Sequence, residues 1–144
     1  MDYDTINAAD FGAGLSGLGL NILVRDVLAT TAFLRDVFGM QAFQPSADFA
    51  IMSYGGQVLQ LHADDTYHSH PLPSLLPEAG PRGGGIELRL YNSDPDEAVA
   101  AATAHPHAVT ILQGATDKPH GLREAVILCE NGYAWVPSRP LHTA

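Results

Sequence analysis

Between Gly19 and Phe43 the chain reads GLNILVRDVLATTAFLRDVFGMQAF, and the spacing of its apolar positions changes twice. Leu20, Ile22 and Val24 alternate with Asn21, Leu23 and Arg25, the two-residue period of a strand, with β-branched residues to favour it. Asp26 offers an N-cap oxygen. From Leu28 to Phe38 the apolar residues Ala29, Ala32, Phe33, Leu34, Val37 and Phe38 fall at separations of three and four, which predicts a helix with one buried stripe. Gly39 predicts its end, because glycine takes the left-handed conformation there without penalty, and a second strand begins after it.

Downstream, Phe49 to Tyr54 (FAIMSY) and Gln57 to His62 (QVLQLH) predict two strands joined by a hairpin turn at Gly55-Gly56. Ile86 to Tyr91 alternates again. Asp94 then offers a cap, Pro95 suits the first helical position and Glu97 completes a capping-box spacing, so a helix runs on to His105-Pro106. Ala108 to Gln113 predicts a strand, Gly114 to Arg123 a polar loop, and Glu124 to Cys129 a strand. Its partner, Tyr133 to Val136, is expected across a tight Asn131-Gly132 turn. The order strand, helix, three strands therefore occurs twice, a repeat of order and not of residue identity.

This predicts an α+β fold of two βαβββ modules in one domain, with curved mixed sheets around a shared cavity. Module 1 is expected at about 19–63 and module 2 at about 86–137. The proline-, glycine- and histidine-rich stretch 64–85 is a linker or lid, 138–144 a tail, and the glycine-interrupted residues 1–18 a flexible arm that could pack on a partner subunit through Phe11 and Leu15.

Composition narrows the function classes. Sixteen acidic residues against seven basic ones, with the arginines scattered singly, exclude nucleic acid as the expected partner. The single cysteine, Cys129, forms no internal disulfide and sits in an apolar run, which predicts a core residue in a reducing, cytoplasmic setting. No apolar stretch approaches the roughly twenty residues of a membrane span. Gly83-Gly84-Gly85 precedes a strand instead of opening a helix, so it is no phosphate cradle.

The stretch NILVRDVLATTAFLRDVFGMQAF resembles the opening strand, turn, helix and "GM" ending of the vicinal oxygen chelate superfamily, the glyoxalase, bleomycin-resistance and extradiol-dioxygenase group. NSDPDEAVAAA is similar to the start of that family's second module and ENGYAWV to its closing hairpin. The resemblance implies four positions for ligands to a divalent ion, falling here on Gly19, Gln60, Glu87 and Val136. Such an ion would bind neighbouring substrate oxygens. Gly19 has no side chain and Val136 is apolar, so no metal and no other cofactor is expected.

Alternation carries Asn21, Gln60, His62, Glu87 and Arg89 onto the same strand faces as those positions. They are the expected ligand-binding residues, with Tyr91 and Trp135 as aromatic walls and with His120 and Arg123 in a closing loop. The expected function is that of a homodimeric glyoxalase/bleomycin-resistance-like protein holding a small, largely apolar or aromatic molecule, more readily a basic than an anionic one. The alternative is a divalent-metal-dependent lyase, isomerase or dioxygenase using Gln60, Glu87 and His62, and a third reading makes Glu87 a metal-free catalytic base.

Overall fold

A short helix precedes the first predicted strand. In the computed structural model, which describes residues 1–142, Ala8–Gly14 form helix α1, capped by Asn7, whose side-chain oxygen accepts from the Asp10 N–H at 2.9 Å. The arm expected to lack regular structure thus contains a helical turn pair with one buried residue, Phe11. At seven residues it is too short, and too rich in glycine, to show a period in sequence.

The chain forms two compact units, Met1–Ala32 with Met40–Leu75, and Phe33–Gly39 with the residues from Leu76 onward. The first contains strand β1 (Asn21–Val24) and the first half of helix α2 (Val27–Phe38). The helix begins where Asp26 accepts from the Ala29 N–H at 2.9 Å and ends at Gly39, φ 69°. Strands β2 (Gln41–Phe43), β3 (Phe49–Tyr54) and β4 (Gln57–Ala63) follow, and the sheet order is β1-β4-β3-β2. Because the helix reverses the chain, β1 lies parallel to β4 while the other pairs are antiparallel. Gly55 and Gly56 both have positive φ, 57° and 81°, which is what a two-residue turn between Tyr54 and Gln57 demands.

Register assigns the faces of this sheet. Asn21, Gln60, Ile51 and Phe43 are neighbours in one row, and Leu23, His62 and Phe49 in the next, all on one face. The other face carries Ile22, Val24, Ala50, Met52 and Leu61, every one of them buried. The linker opens with two 3-10 turns, Asp64–Tyr67 and Leu72–Leu75.

The second unit repeats the order with β5 (Glu87–Tyr91), α3 (Pro95–Ala104), β6 (Thr110–Asp117), β7 (Leu122–Leu128) and β8 (Ala134–Pro140), in sheet order β5-β8-β7-β6. Asp94 caps α3 through the Asp96 N–H, with Pro95 in the first turn. Helix α3 packs across β6, β7 and β8, and Phe38, at the end of α2, lies 6.2 Å from the ring of Trp135. Cys129 is buried and free, as its apolar run predicted.

Three predicted boundaries move. Strand β6 runs on to Asp117 through what was expected to be loop, because two register shifts against β7 break the alternation that would have revealed it. Strand β8 continues through Pro137 to Pro140, into the expected tail; prolines, having no N–H, hid the extension. Residues 143 and 144 of that tail lie outside the described residues. The expected two-residue Asn131-Gly132 turn is instead a five-residue connection, Cys129 to Tyr133, in which the Gly132 N–H donates to the Cys129 carbonyl at 2.8 Å and the Cys129 N–H to the Tyr133 carbonyl at 3.2 Å. Arg82 donates its backbone N–H to the Asn131 carbonyl at 2.8 Å, so this turn is held from outside as well as within.

Candidate functional site

Each unit presents one sheet face that carries polar and aromatic side chains. On the first sheet, Gln60 Oε1 lies 3.0 Å from Nε2 of His62, two residues along the same strand. The amide oxygen accepts from the imidazole in the tautomer that carries its proton on Nε2. The His62 ring is in contact with Phe49 on one side, 5.1 Å between centroids, and with Tyr67 on the other, 5.2 Å. The ring of His70 continues the row 5.0 Å from Tyr67. Asn21 joins from β1, its amide donating to the Tyr67 hydroxyl at 3.2 Å. Burial lowers the His62 pKa below its ordinary value, since a charge is harder to hold among these rings than in water.

On the second sheet, Glu87, Arg89 and Tyr91 follow one another along one face of the edge strand β5. Arg89 donates at 2.7 Å to Glu87 and at 2.7 Å to Glu124 on β7, and its guanidinium carbon lies 5.7 Å from the centre of the Tyr91 ring. His120, in the turn before β7, brings Nε2 to 3.1 Å from the other oxygen of Glu124. Burial alone would depress the Arg89 pKa; the hydrogen bonds to Glu87 and Glu124 outweigh it and raise it. The face therefore holds two carboxylates on one fixed cation, with Glu87 and Tyr91 at its accessible edge and Val136 buried on the same face.

Glu124 is the residue of this face that the sequence did not single out. Only 5% exposed, it is the one acidic residue buried among those described. Its signal was present in LREAVIL, where Leu122, Glu124, Val126 and Leu128 share a face, so a carboxylate interrupts an otherwise apolar stripe.

Two expected site residues lie elsewhere. Trp135, expected as an aromatic wall, alternates onto the opposite face, the one α3 covers, and is 1% exposed. Arg123, expected to close over a ligand, faces the same side and grips Asp96 at 2.9 Å and Asp117 at 2.8 Å, which lowers the Asp96 pKa and raises its own. Both follow from one-residue parity: Arg123 and Trp135 are odd steps from Glu124 and Val136, and a single step reverses the face.

The donor set does not fit a divalent ion. Of the four positions that the resemblance implies, Gly19 offers no donor, Val136 is fully buried hydrocarbon, Gln60 turns its oxygen to His62, and Glu87 is bound to Arg89. Among the described residues no three His, Cys, Asp or Glu side chains stand close enough together to hold a metal. Nor is any helix among them long and apolar enough to cross a membrane.

No protein-family model and no curated protein matches the sequence. Solved structures do match its coordinates. A glyoxalase/bleomycin resistance protein/dioxygenase family enzyme from Burkholderia phytofirmans is similar over 85% of this chain and 96% of its own, with TM-score 0.70 and 22% identity. TioX from Micromonospora sp. ML1 is similar over 87% and 100%, with TM-score 0.59 and 24% identity. A lactoylglutathione lyase from Agrobacterium tumefaciens is similar over 86% and 92%, with TM-score 0.60 and 22% identity.

Proposed function

On the glyoxalase/bleomycin-resistance fold, which this chain shares with those structures, we propose that it binds a small, largely apolar or aromatic molecule bearing a basic group, without a metal ion. The observation that carries the reading is the Glu87–Arg89–Glu124 cluster: two carboxylates on one guanidinium leave a negative surplus beside the exposed Tyr91 ring. A planar cation stacks on Tyr91 and pairs with Glu87, whose side chain is 56% exposed and therefore available without breaking the core. His120 lines the same face; on the first unit, taken by itself, Asn21, Gln60 and His62 offer polar contacts to a ring of the same kind. Recognition of this kind needs shape and charge, not a bond-making step.

Homodimerisation belongs to the same proposal. Strands β1 and β5 are each the outer strand of their sheet, and Leu18, Leu20 and Ile86 beside them are exposed, a pattern that a second copy would cover. A cytoplasmic location fits the free cysteine.

The enzyme reading, a divalent-metal lyase, isomerase or dioxygenase, draws its support from the name of the Agrobacterium neighbour. One experiment separates the two. Calorimetric titration with proflavine, a planar basic aromatic, is expected to give saturable binding that weakens about tenfold in Glu87→Gln, the loss of one charge-assisted contact. Stoichiometric Fe, Mn, Ni or Zn in protein purified without a tag, lost in Glu87→Gln, would instead establish the metal enzyme.

A further inference from the structure

We infer that the first sheet carries an aromatic-binding platform that the chain's own N-terminal arm occupies, so that arm and ligand compete for it. Phe43 and Phe49 belong to the same sheet face as Gln60 and His62. Against them lie two rings from the arm: Tyr3, 5.3 Å from Phe43, and Phe11, 6.3 Å from Phe49, with Tyr3 and Phe11 themselves 6.0 Å apart. Phe49 in turn contacts His62. An unbroken row of rings therefore runs from the arm to the imidazole proposed to meet a ligand, and Phe11 is 5% exposed while it sits there. Aromatic side chains that fill a platform of aromatic side chains mark the chemistry the platform prefers: a flat, apolar ring.

The arm is built to leave. Its backbone hydrogen bonds run within itself, Ile6 to Asp2, Phe11 to Asn7 and Leu15 to Gly12. Among the described residues, ring packing and the side chain of Gln44 tie it to the sheet, the Gln44 amide donating to the carbonyls of Tyr3 at 2.7 Å and Ile6 at 2.9 Å. Gln44 reaches them from a left-handed backbone position, φ 49°, unusual outside glycine. Helix α1 has seven residues, below the length at which a helix holds alone in water, so it melts once detached. Gly17, φ 75°, and the fully exposed Leu18 form the joint between arm and β1. A docked element with few ties, a joint and no stability of its own moves as one unit. The inference deepens the proposed function and rests on it, because it assumes that an aromatic ligand seeks this face.

Gln44→Gly tests it in the full chain: glycine accepts the left-handed backbone and the two amide hydrogen bonds vanish. Tyr3→Ala, which touches no strand hydrogen bond, is the second variant. Amide exchange at Phe11 and Leu15 is expected to accelerate in both, and proflavine to bind about tenfold more tightly, as it does when nine molecules in ten are closed before release. Saturating proflavine is expected to accelerate the same amides in the unmodified protein. If the variants release the arm and proflavine binds all forms equally, the competition is overturned while the binding proposal stands. If proflavine binds no form even with the arm released, both fall. Unchanged exchange in both variants overturns the clamp assigned to Gln44 and, with it, this inference.

Discussion

Nη2 of Arg89 lies 2.7 Å from Oε2 of Glu124, a pair made by residues 35 positions apart on strands that are not neighbours in their sheet. The glutamate side chain is 7% exposed and the arginine 22%, so each charge leans on the other for much of the pairing that offsets its burial, with Glu87 and His120 as their further partners.

Removing one partner is therefore expected to cost more than removing both. Arg89→Met leaves Glu124 buried and lowers stability by about 3 kcal/mol, whereas Arg89→Met with Glu124→Met returns to within about 1 kcal/mol of the unmodified protein. Urea unfolding of the two variants measures the difference. A double variant less stable than the single one would contradict it.

His62 gives a pH dependence of definite sign. Its folded pKa lies below the ordinary 6.5, so as pH falls through 6.5 the unfolded chain takes up a proton that the folded chain declines. The stabilisation is complete above pH 6.5 and shrinks toward the lowered folded value, below which it changes no further. In His62→Phe, which keeps a ring between Phe49 and Tyr67, this component is expected to vanish from the denaturant midpoint measured against pH. Equal slopes in the two proteins below pH 6.5 would refute the assignment.

Trp135 is the protein's only tryptophan and belongs to the core beneath α3, not to the face that carries Glu87 and Arg89. Its emission is expected to be blue-shifted, and resistant to acrylamide until urea unfolds the chain. Trp135→Phe should lower stability by about 1–3 kcal/mol and leave proflavine affinity unchanged. Ready quenching in the folded protein would show the ring to be exposed.

Gly83 has a packing role. A Cβ there would stand 2.7 Å from both Cα and a ring carbon of Tyr133 and 3.0 Å from the Gly132 carbonyl, so backbone must move to admit it. Gly83→Ala is expected to destabilise by about 2–4 kcal/mol. Gly84→Ala, whose added methyl meets nothing within 4 Å, should change stability by less than about 1 kcal/mol. Thermal unfolding of the pair decides whether the close approach of residue 83 to the β7–β8 turn is what requires glycine.

What the sequence determined alone is the order of elements. Period-two and period-3.6 patterns, Asp26 and Asp94 as caps, Pro95 at a helix start and Gly55-Gly56 as a turn act through residues a few positions away, so a linear reading finds them. It also put Glu87 with Arg89 on one strand face and Gln60 with His62 on another, because strand parity is local. It failed where parity slipped: one residue put Arg123 and Trp135 on the helix-covered side, and bulges in β6 hid a strand. Only tertiary structure could choose Glu124 as the partner of Arg89, or bring Gln44 to the carbonyls of Tyr3 and Ile6. Those choices depend on which strands become neighbours and in what register, and on the cost of burying a charge or an amide unpaired, which no short stretch of sequence contains.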